Sequence, residues 1–212
     1  MKSLLAFGDS NTWGALPVDH PTRRFRYGPN TRWTGIASAV LGPDWSLIEE
    51  GLPGRTTRFE DPVMGRHMDG SLGLPIALQS HGPIDVMTLM LGTNDFKTRF
   101  NVSAEEIAAS VGGLVDFCLS GEMQDRHQGF KVLLICPPPI FEIGLLSDQF
   151  VGGAEKSQSL AKHISAIAAD RGVGFLDAGA HIQSSQIDGI HFAEDAHQTL
   201  GRIIANSVQE LA

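Results

Sequence analysis

The chain opens MKSLLAF (residues 1–7) and passes directly into GDSNTWG (residues 8–14). Leu4–Phe7 is an apolar run of strand length, and an aspartate and a serine stand at its end. Two readings compete for Asp9 and Ser10. One is a helix start, because Asp and Ser side chains accept the orphan N–H groups of a first turn. The other is a nucleophile held at a strand end, which needs an activating base from elsewhere in the chain. Either way a strand running straight into a helix start is the opening unit of an α/β fold.

The same alternation continues to the end of the chain. Ser46–Ile48, Val86–Leu91, Val132–Cys136 and Val173–Leu176 are short apolar runs of strand type. Between them, helical spacing is carried by Trp33, Ile36, Ala37, Val40 and Leu41, stopped by Gly42-Pro43, and by Leu160, Ile164, Ile167 and Ala168. A last stripe comprises Leu200, Ile203, Ile204, Val208 and Leu211. Ser103 followed by Glu106 is a capping box, and Ile107, Val111, Leu114, Val115 and Cys118 extend it as one apolar face. Strand-then-helix order predicts a parallel sheet covered on both faces, and continuous apolar strands agree with burial from both sides. With no repeat, linker or low-complexity tract, residues 1–212 read as one domain. Pro137-Pro138-Pro139 opens an irregular stretch reaching about Gly153, expected to be a surface loop able to line a site.

Composition narrows the function. The formal charge is 16 − 24 = −8, and no basic cluster exceeds the pair Arg23-Arg24, so nucleic acid is not an expected partner. No apolar run approaches the roughly 20 residues of a membrane helix, and Ser3–Phe7 is shorter than a signal-peptide core of about 7–15 residues. A cytoplasmic location without membrane contact is the expectation. Cys118 and Cys136, each in apolar surroundings, read as small buried hydrophobes rather than a disulfide or metal knuckle.

In a doubly wound sheet, ligands bind beyond the carboxyl ends of the strands. GDS follows the first strand, GLPGRTT (residues 51–57) the second and GTND (residues 92–95) the third, so Ser10, Gly54 and Asn94 are expected at one rim. Each loop alone is a plausible turn. Together they offer a hydroxyl, a close-approach backbone N–H and a side-chain amide, the parts that acyl transfer needs around a developing oxyanion.

The hydroxyl needs a base, and eight histidines compete. His20, His67, His81 and His127 lie in polar, turn-like sequence and read as solvated; His163 reads as exposed on a helix. His181 and His197 stay open, each without an acid placed just before it. Asp188 stands three residues ahead of His191 in Asp188-Gly189-Ile190-His191, where one turn presents both to one side and the acid can orient the imidazole. A capped helix entry is the competing reading of that segment.

FGDSNTWG, GLPGRTT, LGTND and DGIHF, in this order and spanning nearly the whole chain, resemble the motifs of the SGNH hydrolases, the GDSL esterases. The strings RWTG, EEGL, GRTT and MLGTND resemble a branch of small bacterial arylesterases and acyltransferases. That resemblance implies a three-layer α/β/α sandwich with a parallel, flavodoxin-like sheet. It implies Ser10 as nucleophile with Asp188 and His191 as partners, and an oxyanion hole from the Ser10 and Gly54 N–H groups and the Asn94 amide. It also implies a short-chain acyl ester, aryl or carbohydrate, as small-molecule substrate, with transfer to alcohols as a second outcome. Neither cofactor nor metal is implied. The residue after the serine is Asn11, where leucine gives the family its name, and pocket shape is where this departure should be felt.

Other motifs fail. G-x-S-x-G is broken by Thr12, and GLPGRTT lacks the spacing and lysine of a phosphate loop. Two alternatives persist: a metal-dependent phosphoesterase using Asp9, Asp95, Asp188 and His191, and a non-catalytic carbohydrate- or nucleotide-binding module on the same fold. Trp13, Phe150 and Phe192 are candidates for an apolar pocket. Ile140, Phe141, Ile143, Leu145, Leu146, Phe150 and Val151 crowd one loop, which predicts a lid or a homo-oligomer contact.

Overall fold

A computed structural model describes residues 1–22 and 24–212; Arg23, one half of the basic pair, lies outside the described residues. β1 (Lys2–Gly8) is followed by α1 (Ser10–Trp13) and α2 (Trp33–Leu41), then β2 (Trp45–Gly51), α3 (Gly70–Ser80) and β3 (Val86–Met90). Next come α4 (Ala104–Cys118), α5 (Gly121–His127), β4 (Lys131–Cys136), α6 (Gly153–Ser157), α7 (Leu160–Arg171), β5 (Gly174–Asp177) and α8 (Glu194–Leu211). Every pairing is parallel and the order is β2-β1-β3-β4-β5, the flavodoxin-like arrangement.

The pleat divides the strand side chains between two cores, since successive residues point to opposite faces. Leu4, Ala6, Val86, Met90, Leu133 and Ile135 meet Trp33 and Ala37 of α2 and Leu200, Ile204 and Val208 of α8 on one face. Leu5, Phe7, Met87, Leu89, Val132 and Leu134 meet α3, α4, α5 and α7 on the other. Three layers result. β2 departs from the expectation of a fully apolar strand: its residues are all half-buried, because it is a sheet edge. Its Glu49 receives Arg32 through paired bonds of 2.7 Å, with Arg26 at 3.2 Å.

The predicted helix faces form α2, α4, α7 and α8, while α1, α3 and α5 carry no clear periodic signal. α1 has four residues and α5 seven, and α3 includes two glycines and Pro75, so its sequence opposes the helix that packing of Leu74, Ala77 and Leu78 imposes. Residues 137–153 are not wholly irregular. A 3₁₀ turn occupies Gly144–Gln149, and the Phe141 N–H donates to Gly189 O at 2.9 Å, seating the segment on the C-terminal loop. His127 corrects its solvated reading. It closes α5 at 3 % exposure, its Nδ1 accepting the Ile84 N–H at 3.3 Å and its ring packing edge-on against Phe130. His163, expected exposed, is half-buried on α7. Among the described residues, no helix is long and apolar enough to cross a membrane.

The capping box is present in both directions: Ser103 Oγ accepts the Glu106 N–H, and Glu106 Oε2 accepts the Ser103 N–H at 2.8 Å. Ser103→Ala should therefore destabilise the protein by about 1 kcal/mol, lowering the thermal midpoint by roughly 2–4 °C for a chain of this size. An unchanged midpoint in a melting curve would show that α4 does not depend on its cap.

Candidate active site

The loops leaving β1, β2 and β3 meet above β1 and β3, where the strand order reverses, and the loop between β5 and α8 completes the rim. Asp9 and Ser10 divide the two readings of the opening motif between them. Asp9 is the cap: its Oδ1 accepts the Asn11 N–H at 2.9 Å and starts α1. Ser10 is the first residue of that helix, and its Oγ lies 3.1 Å from His191 Nε2.

On the far side of the imidazole, His191 Nδ1 is 2.6 Å from Asp188 Oδ2, which also accepts the Val18 N–H at 2.6 Å. Asp188 Oδ1 accepts the N–H groups of Ile190 and His191, each at 3.0 Å. Burial alone would raise this carboxyl, but the bonds from His191 and the backbone more than reverse that, and its pKa falls below the usual value. Asp188 therefore stays ionised and holds the ring with Nε2 toward Ser10. Gly189 makes the turn possible: its φ is +73°, and a Cβ there would lie 2.0 Å from Phe141 O.

Asn94 joins the other loops. Its Nδ2 donates to Arg55 O at 3.1 Å and to Asp9 Oδ2 at 3.3 Å. Gly54 sits at φ +93°, a backbone conformation that L side chains rarely adopt, and a Cβ there would displace the Met64 thioether. Among the described residues, neither the Ser10 nor the Gly54 N–H has a hydrogen-bond partner. Beneath them Asp95 Oδ1 accepts the Thr57 N–H at 2.9 Å and its hydroxyl at 2.5 Å, fixing the β2 loop to the β3 loop. Burial pushes the carboxyls of Asp9 and Asp95 up to about 6, against the lowering effect of these bonds.

Ser10, Gly54, Asn94 and His191 open into one pocket of about 340 Å³, walled by Trp13, Phe25, Leu146 and Phe150 with Arg24 and Lys97. Trp13 and Phe150 lie where the sequence put them. Phe192 does not: it is fully buried in the α2–α8 core, because the residue after His191 points away from the crevice, and it stacks edge-on with His197. His197 is a core residue, its Nδ1 accepting the Trp33 N–H at 3.2 Å and burial holding its pKa down to about 3. His181 is exposed, away from the pocket lining, and His81 pairs with Glu50 at 2.8 Å.

Sequence reasoning missed Val18 and Arg55, and it assigned Asn11 to pocket shape. Asn11 is buried and two-handed: Nδ2 donates to Ile190 O at 3.1 Å and Oδ1 accepts the Phe192 N–H at 3.2 Å. It clamps the Ser10 turn to the loop carrying His191, so the departure from leucine acts on loop position.

The model of the GDSL-like lipase/acylhydrolase family matches residues 6–199. Among solved structures, the chain is similar to an aryl esterase of M. smegmatis, at 38% identity over 100% of both chains with a TM-score of 0.94. It is also similar to a carbohydrate acetylesterase from Sinorhizobium meliloti, at 40% identity over 100% of both chains and a TM-score of 0.94. A second Sinorhizobium meliloti structure, of a carbohydrate acetylesterase family member, is 31% identical over 100% of this chain and 99% of that one, with a TM-score of 0.90. Among curated proteins none gives a significant match.

The raised carboxyl of Asp95 has a measurable consequence. A group whose pKa is higher folded than unfolded favours the fold while protonated and loses that contribution as pH rises. The unfolding free energy of the wild type relative to Asp95→Asn should accordingly fall between about pH 4 and about pH 6 and level off above. Denaturant titrations at stepped pH check this, and a flat difference would contradict a buried, raised carboxyl.

Proposed function

Because the chain belongs to the GDSL-like lipase/acylhydrolase family, we propose that it hydrolyses short-chain acyl esters, aryl or carbohydrate acetyl esters included, through an acyl-enzyme on Ser10. The protein is a carboxylic ester hydrolase of the serine type. The observation that supports these roles is the continuous Asp188–His191–Ser10 relay, 2.6 and 3.1 Å in its two steps.

His191 Nε2 takes the Ser10 proton as Oγ bonds to the ester carbonyl carbon. Asp188 keeps Nδ1 protonated and stabilises the imidazolium. The carbonyl electron pair moves onto oxygen, where the Ser10 and Gly54 N–H groups and Asn94 Nδ2 receive it. Of the two bonds made by Asn94, the 3.3 Å contact with Asp9 is the longer and the easier to share with an oxyanion. When the tetrahedral centre collapses, the C–O bond breaks and the alcohol leaves with the proton from Nε2. Water, deprotonated by the same nitrogen, repeats the sequence and frees Ser10. Apolar walls from Trp13, Leu146 and Phe150 limit water at this stage, so alcohols should compete for the acyl group, read as product ratios in mixed solvent.

The metal reading is disfavoured by where its ligands lie. Asp95 is committed to Thr57, Asp9 to Asn11 and Asn94, and Asp188 to Val18 and His191. Among the described residues no three metal-binding side chains converge. For the segment 137–153, Leu146 and Phe150 on the pocket side and Leu145 and Val151, more than half exposed, support a lid edge that also serves a homo-oligomer. A cytoplasmic location goes with this reading.

Intact mass after a fluorophosphonate should show one adduct on the wild type and none on Ser10→Ala; an unmodified, folded wild type would return the protein to the binding-module alternative. Asn94→Ala should reduce turnover of a simple aryl acetate by about 10²–10³-fold, and full turnover would remove Asn94 from the hole. The solution mass of the wild type should exceed that of one 22.8 kDa chain, and a monomeric mass would end the oligomer reading.

A further inference from the structure

Lys97 is a buried cation that the relay leaves unused. It follows the 3₁₀ turn Asn94–Phe96, is 5 % exposed, and lines the same pocket as Ser10, Asn94 and His191. Its nearest carboxylate oxygen, Asp61 Oδ2, is 3.9 Å away, beyond hydrogen-bond reach. Asp61 is already occupied: Oδ2 accepts Arg99 Nη2 at 2.7 Å, and Oδ1 accepts the N–H groups of Val63 and Met64 at 2.9 and 3.0 Å. What Lys97 Nζ does contact is Met64 Sδ at 3.7 Å, a weak acceptor for a group with three donors. Burying an ammonium without strong acceptors is costly, and burial, together with the nearby Arg99 charge, draws its pKa down to about 8, leaving it charged at neutral pH. The charges of Asp61, Asp9 and Asp95 oppose that shift from behind the pocket wall.

The wall itself has a sign opposite to the molecule. Among the described residues, Arg24 and Lys97 line the pocket and no Asp or Glu does, in a chain of net charge −8. Resting on the serine-esterase reading above, we propose that Lys97 Nζ binds a carboxylate carried by the substrate, so that the enzyme selects esters with an anionic substituent. Lys97 follows Asn94 by three positions, and both line a pocket of about 340 Å³, so one small molecule can place its ester carbonyl at Asn94 and its carboxylate at Nζ. The carboxylate can belong to the acyl part or to the alcohol part, a difference the substrates below resolve.

The measurement is kcat/KM for two matched pairs, corrected for spontaneous hydrolysis. The acyl pair is the phenyl half-ester of glutarate and its neutral glutaramide analogue; the alcohol pair is 4-acetoxybenzoate and 4-acetoxybenzamide. On one pair the wild type should prefer the anion by about 10- to 100-fold, the span of a hydrogen bond between charged groups. Which pair responds identifies the side that carries the charge. Lys97→Met and Lys97→Gln should bring that ratio to about one, and Lys97→Arg should keep a preference; two neutral variants guard against one failing to fold. Wild-type ratios near one on both pairs, or a preference that survives in both neutral variants, would overturn the assignment. If the fluorophosphonate adduct on Ser10 forms while the ratios are flat, the Lys97 proposal alone fails. Absence of both adduct and turnover would remove the serine reading, and Lys97 with it.

Discussion

The loops that leave β1, β2 and β3 meet at one amide. Asn94 Nδ2 reaches Asp9 after β1 and the Arg55 carbonyl after β2, while its own backbone leaves β3. Three strands adjacent in the sheet are thereby joined at their tips by two hydrogen bonds from a single nitrogen. Arg55 reinforces the junction from below: its Nη1 donates to Gly8 O at 2.9 Å and to Glu50 O, and its guanidinium lies 4.1 Å from the Phe7 ring centroid. Remove the amide and the β1 loop loses its tie to the β3 loop, while Thr57 still holds the β2 loop to Asp95.

Such a junction is polar and dry at once, so it holds only if nearly every group is matched. Burial leaves its mark on the members: Asp9 and Asp95 are pushed up to about 6, and Arg55 is pulled down to about 10. Asp188 goes the other way because four donors converge on its two oxygens. The same kind of side chain thus loses its proton below the usual carboxylate range in one loop and keeps it up to about pH 6 in two others, according to the donors and the His191 charge set against its burial.

How far a sequence discloses this arrangement depends on the range of the forces involved. Local ones are legible: Ser103 and Glu106 announce α4, and Asp188 three residues before His191 announces a turn shared by acid and base. The parallel sheet is legible in aggregate, from apolar runs whose alternate residues feed two cores. What escapes is set by partners far away in the chain. Val18 bonds Asp188 across 170 residues, and Asn11 holds the loop of Phe192 across 181. Phe192 looked like a pocket aromatic because its neighbour is His191, yet a one-residue step reverses the direction of a side chain. His127 looked solvated because its neighbours are polar, although closing α5 turns its ring inward.

The separation of Ser10 and His191, 181 positions along the chain, has a temporal meaning as well as a spatial one. During synthesis the hydroxyl emerges with the first strand, and the imidazole follows only after all five strands have been made. A chain that stops short of His191 therefore carries the hydroxyl without its base, and the relay comes into being only when the last loop docks on Asn11 and Val18. Ester cleavage in this architecture doubles as a report that the last loop has closed onto the first, which makes the molecule a scaffold for two-fragment complementation, with the break placed in an exposed loop between them.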